Sequence, residues 1–172
     1  MRGVKFKICN DYTSITQQEQ TDFIRKRHER GVRFIRLNRV SYLNQSVSYV
    51  MAAQTHRLHY RKESVEEVPR FSVDIERVLN AITYYYELDQ REMSALEGLP
   101  HLSLTYEEVF EQPGGKQVAA DQCFEFLGVE SVPVDTAYRK PKRAKLPELI
   151  DNFDELAEAL SRIPYVDIND VL

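Results

Sequence analysis

RFIRLNRVSYLNQSVSYVMAAQT, residues 33–55, changes its hydrophobic period halfway along. The run 32–37, VRFIRL, is apolar and β-branched enough to predict a strand. From Leu43 onward the apolar residues Leu43, Val47, Val50 and Met51 recur every three or four positions, which predicts a helix over about 43–59. Arg39 stands at the junction. A strand that passes directly into a helix is half of a parallel crossover unit, and this stretch therefore sets the fold class.

The flanking sequence repeats the alternation. VKFKI (4–8) predicts a buried strand, and Thr16 with Glu19 forms a capping box for a helix ending at Gly31. RKESVEEVP (61–69) is a polar connection. Ser72 is positioned to cap a long helix in which Ile75, Val78, Leu79, Ile82, Tyr86, Met93 and Leu96 follow the helical period up to Gly98. HLSLTY (101–106) predicts a third strand. A helix over 117–127 is closed by Gly128, and another over 147–160 starts with Pro147 as its first residue. The expectation is a single α/β domain over 1–172, a three-layer sandwich with a parallel sheet.

Composition limits the function classes. The chain has 172 residues, 42% apolar and 29% charged, which fits a soluble globular domain, and its net charge of −4 argues against nucleic-acid binding, which needs a broadly basic face. No run of about 18 apolar residues is present to span a membrane, and MRGVKFKIC lacks the apolar core of a secretory signal. The expected location is the cytoplasm. Cys9 and Cys123 lie far apart in apolar contexts and read as reduced core thiols.

Parallel sheets bind ligands beyond the carboxyl ends of their strands. Arg39 occupies that place after the second strand, where the next helix points its N-terminus, a natural anion site. Ser41, Gln45, Ser48 and Thr55 form a polar stripe on that helix, opposite the apolar one. A guanidinium and a nearby hydroxyl together suit a phosphate. The alternative is a surface Arg and a Ser facing another helix.

LNRVSYLNQSVSYVMAAQT (37–55) resembles the 3′-phosphate-binding segment of sulfotransferases that use 3′-phosphoadenosine 5′-phosphosulfate, in the flavour of the bacterial carbohydrate enzymes. Gln45-Ser46-Val47-Ser48 and Ala52-Ala53-Gln54-Thr55 match its helix. FKICND (6–11), LTYEEVF (104–110), FEFLGV (124–129) and YRKPKRAKLPELIDNFDELAEAL (138–160) resemble further family segments in the same order. The resemblance implies a P-loop-NTPase-like fold and sulfuryl transfer to a hydroxyl, most simply of a carbohydrate, with no metal. It places Arg39 and Ser48 on the donor's 3′-phosphate and Lys140 and Arg143 in a basic loop closing over it, among Arg139, Lys142 and Lys145. Lys7 would lie near the sulfuryl group and Asp11 would be the nearby base. The family usually has Asp or Asn where Ser41 stands.

The family also opens with a strand and a Gly/Ser-rich loop that cradles the 5′-phosphosulfate, and this chain starts at what would be the following strand. The expectation is therefore weak turnover at best: either another chain or a homo-oligomer completes the site, or the chain is a truncated or decayed enzyme. The alternative is a non-catalytic α/β remnant that binds a nucleotide or a partner protein.

Four remaining motifs read as structural. QPGGKQ (112–117) lies after the third strand, out of place for a phosphate loop, and reads as an ordinary loop. RKRHER (25–30) reads as a solvated helix face, and TYYYE (83–87) as half-buried packing rather than a stacking platform for sugars or bases. His56 and His59 have helical spacing for a metal but no evident carboxylate or Cys partner, and read as surface or acceptor-site residues.

Overall fold

Thr16 begins the described chain as a helix cap. Its hydroxyl accepts from the Glu19 amide at 3.2 Å, and the Glu19 carboxylate accepts from the Thr16 amide at 2.7 Å. This reciprocal pair is the predicted capping box, and it starts α1 (Gln17–Glu29). The structure is a computed structural model and describes residues 16–55, 70–135 and 145–166. The predicted strand at 4–8, residues 56–59 of the predicted helix and the connection at 61–69 lie outside the described residues.

After α1 come β1 (Phe34–Asn38), α2 (Tyr42–Thr55), α3 (Ile75–Leu96) and β2 (His101–Thr105). They are followed by α4 (Tyr106–Phe110), α5 (Gly115–Leu127), α6 (Leu146–Leu149) and α7 (Phe153–Leu160). Gly31, Gly98 and Gly128 end their helices with positive φ, as their positions predict. The chain is mixed α/β, and its two described strands pair in parallel, from Phe34 beside His101 to Asn38 beside Thr105. By contacts it divides into two compact units, Met1–Asn38 with Tyr86–Val132, and Arg39–Tyr85 with Pro133–Leu172.

The first unit holds the sheet. Strand alternation turns Phe34 and Arg36 to a covered side, where Phe34 packs with Ile24 of α1 and with Ala95 and Leu96 of α3. Ile35 and Leu37 turn the other way and are exposed, at 39% and 53%. On that side Arg33 donates to the Phe126 carbonyl in the last turn of α5, and its guanidinium lies 5.9 Å from the Phe126 ring centre. A cation at a helix C-terminus also suits the helix dipole. Met93, expected in the core, is 47% exposed. The inner line of α3 at this end runs through Asp89, Glu92 and Leu96, which leaves Met93 one step round the helix.

β2 ends one residue short of its predicted end, because Thr105, its last paired residue, also caps α4 and Tyr106 already belongs to that helix. The Thr105 hydroxyl accepts from the Glu108 amide at 3.2 Å, and the Glu108 carboxylate accepts from the Thr105 amide at 3.0 Å. Gly114, at φ +73, then turns the chain and Gly115 starts α5, two residues before the predicted start. A Cβ on Gly115 would collide with the Glu108 carbonyl oxygen and approach that of Val109 to 2.9 Å. The Gly-Gly pair of QPGGKQ is thus a turn and a close helix contact.

The second unit has the larger apolar core. Leu43, Val47 and Val50 of α2 meet Val78 and Ile82 of α3 and Leu149, Ile150, Phe153, Leu156 and Leu160 of the C-terminal segment. Two expectations are corrected here. The helix predicted over 147–160 is broken into α6 and α7, because Ile150 is extended (φ −105°, ψ 122°) and bridges Phe71 in parallel. The Phe71 amide donates to the Leu149 carbonyl and the Asp151 amide to the Phe71 carbonyl, both at 3.1 Å. Ser72 therefore lies in an extended segment and does not cap α3. Asp74 does so, accepting from the Arg77 amide at 3.0 Å.

Candidate functional site

The chain leaves β1 at Asn38, passes through Arg39 and Val40, and enters α2 at Ser41, which acts as its cap. The Ser41 hydroxyl accepts from the Asn44 amide at 3.2 Å and from the Asn44 side chain at 3.0 Å. The Ser41 carbonyl accepts from the Gln45 amide at 3.1 Å. Ser41 is thus a neutral side-chain cap that satisfies one amide of the first turn. α2 carries no acidic residue in its first turn. α1, α4 and α7 all do. The positive end of the α2 dipole is therefore not offset by a carboxylate of its own.

Burial of one side of α2 orients the other. Leu43, Val47, Val50 and Met51 are all at most 2% exposed. Ser41, Gln45 and Ser48, at spacings of four and three, are half-buried on the opposite side, and Arg39 before them is also half-buried. The Ser48 hydroxyl, two turns from Ser41, donates to the Asn44 carbonyl at 2.7 Å, the usual resting bond of a helical Ser. A ligand acceptor within reach can take that hydrogen bond by rotation of the hydroxyl. Next to Ser48, Tyr49 is half exposed. Its ring stands edge-on to Tyr85 at 6.4 Å, with the Arg77 guanidinium 5.9 Å from its centre. Within TYYYE, Tyr84 is exposed while Tyr85 and Tyr86 are half-buried.

Arg39 and Ser48 are thus brought to the entrance and one side of the same helix. Lys7, Asp11, Lys140 and Arg143 lie outside the described residues, as do His56, His59, Cys9 and the Thr55 side chain. Cys123 is a half-buried free thiol, and burial pushes its pKa up. Among the described residues no group of three or more His, Cys, Asp or Glu is placed to hold a metal ion. No described helix is long and apolar enough to cross a membrane. A shallow groove of about 330 Å3 lies elsewhere, between Leu102 of β2 and Gln122, Glu125 and Phe126 of α5, and includes none of the predicted site residues.

Three polar positions were not singled out by the sequence. Arg36 is 9% exposed and ion-paired to Asp89 and, at 3.5 Å, to Glu92. Its signal was present, as a charge on the covered side of the strand alternation with two acids three residues apart on a later helix. Asn152 bonds the Val73 backbone, a long-range pairing without a local signature. Ser46, read only as part of the Gln-Ser-Val-Ser match, is fully buried, and its hydroxyl has no hydrogen-bond partner among the described residues. Its spacing of three from Leu43 and four from Val50 already placed it on the apolar side. Comparison with protein-family models, curated proteins and solved structures finds no match for this chain.

Proposed function

We propose that this chain is a sulfotransferase-type domain of P-loop-NTPase-like fold, in which the entrance of α2 holds the 3′-phosphate of 3′-phosphoadenosine 5′-phosphosulfate. One observation carries the reading. A half-buried Arg39 precedes a Ser-capped helix with no acid in its first turn, and Ser48 lies two turns along on the same side as the cap. The guanidinium supplies charge and paired donors, the helix end supplies its dipole, and the Ser48 hydroxyl supplies a further donor. The sequence resemblance assigns Lys7 to the sulfuryl group, Asp11 to the acceptor proton, and Lys140 and Arg143 to the phosphate. Transfer to a carbohydrate hydroxyl needs aligned cations and a base, and no metal.

Calorimetric titration with adenosine 3′,5′-bisphosphate tests the phosphate assignment. The folded chain is expected to bind at micromolar concentration, and Arg39→Ala or Ser48→Ala to abolish binding. Arg39→Lys keeps the charge but loses the paired donors, so a loss of about tenfold, or about 1.4 kcal/mol, is expected. No binding by the folded wild-type chain, or binding indifferent to Arg39→Ala, rejects the assignment.

A further inference from the structure

The seam between α2 and α3 in the second unit is aliphatic inside and aromatic at its rim. Inside, Val47 and Val50 pack with Val78 and Ile82. At the rim, Tyr49 of α2 is 49% exposed and Tyr84 of α3 is 46% exposed. Arg77, Ala81 and Tyr85 follow one another on α3 at intervals of four, so they share one side of that helix. The Tyr49 ring centre is 6.4 Å from that of Tyr85 and 5.9 Å from the Arg77 guanidinium. Eight residues of helix span about 12 Å, so Tyr49 sits between the two. The residue midway, Ala81, is buried and small, which leaves the ring room. Tyr84 stands 5.5 Å beyond Tyr85 and extends the shelf by one ring.

The angles between the rings narrow what can lie on them. Tyr49 and Tyr85 meet at 84°, and Tyr84 and Tyr85 at 64°. Neither pair offers the two parallel faces that sandwich a planar base. A pyranose presents C–H bonds to one aromatic face and hydroxyls at its rim, so single tilted faces suit it. Charge narrows the choice further. Arg77 is exposed and makes no ion pair among the described residues, and its guanidinium is held at the Tyr49 ring. Its paired N–H donors match a carboxylate. The chain's net charge of −4 disfavours a long polyanion, whereas a single carboxylate needs only a single cation. Gln45, one turn before Tyr49 and half-buried, brings an amide to the same flank for sugar hydroxyls.

We propose that the α2–α3 rim is a binding shelf for an acidic sugar, a pyranose bearing a carboxylate, with Tyr49 against the ring and Arg77 on the carboxylate. The shelf shares no residue with the 3′-phosphate assignment and goes beyond it. Sugar binding there does not require the donor nucleotide, so the two readings fail separately.

The test is an amide NMR titration of the full chain with tetragalacturonate and, in parallel, with the neutral galactose tetramer. The acidic tetramer is expected to shift the amides of Tyr49, Arg77 and Tyr85 as one saturating site. It should bind about tenfold more tightly than the neutral one, the worth of one charge-assisted pair. Tyr49→Ala should weaken both sugars by about tenfold. Arg77→Gln should weaken only the acidic sugar and bring the two level. Both positions are exposed, and circular dichroism should show both variants folded. Adenosine 3′,5′-bisphosphate should not displace the acidic tetramer. The wild-type titrations decide without any variant: no shift at the three amides, or equal binding of the two tetramers, overturns the proposal. So does an Arg77→Gln chain that keeps the acidic preference, or displacement by the nucleotide.

Discussion

Asn152 holds the Val73 backbone from both sides, accepting from its amide and donating to its carbonyl, each at 3.0 Å. The segment before α3 is thereby tied to the segment between α6 and α7, alongside the Phe71–Ile150 bridge. Asn152→Ala leaves both backbone groups of a 5%-exposed residue without these partners. A loss of about 2 kcal/mol is expected, read from urea unfolding. Asn152→Asp keeps the acceptor and loses the donor, so a smaller loss should follow at neutral pH.

Ser46→Ala is expected to act in the opposite direction. Its hydroxyl is buried, with no hydrogen-bond partner among the described residues, in a helix where Ala is the better former. Removing it should stabilise the chain by about 1 kcal/mol in the same unfolding assay. A destabilised variant would show that the hydroxyl is bonded in solution.

Gly115→Ala should disturb the contact between α4 and α5. The added methyl meets the backbone oxygens of Glu108 and Val109, which cannot swing aside as a side chain would. A cost of about 1–3 kcal/mol is expected from overpacking, and circular dichroism melting would measure it. A melting temperature unchanged from wild type would mean the two helices have room to separate.

The cap of α1 should weaken in acid. Hydrogen bonds from the Thr16 backbone and side chain lower the Glu19 pKa below its ordinary 4.5. A carboxyl lowered by folding contributes stability above its unfolded-state pKa and loses it as pH falls through the folded-state pKa. Amide protection at Thr16 and in the first turn of α1, corrected for intrinsic exchange, should therefore fall on acidification below about pH 4. In Glu19→Gln the same amides should show no such step.

What the sequence made legible was short in range. Thr16, Glu19 and Gly31 lie within one helix length of one another, and local hydrogen bonding decides what they do. Phe34, Leu104 and the apolar side of α2 were readable because strand and helix periods differ. Asp74 displaced Ser72 as the cap, and α6 separated from α7, for one common reason. Residues 71–73 are held extended by 149–152, about 80 positions away, and no local propensity encodes that pairing. The site followed the same division. Arg39, Ser41 and Ser48 could be placed from the strand-to-helix junction, whereas Arg36 required knowing which helix would lie over β1.

The open side of β1 has a practical bearing on how the protein is handled. Ile35 and Leu37 present aliphatic side chains to solvent beside the paired Leu102. An environment-sensitive fluorophore such as anilinonaphthalene sulfonate binds surfaces of this kind without any loss of native packing. Fluorophore-based melting would then start from a bright baseline and lose contrast, so ultraviolet circular dichroism is the better readout for every variant described above.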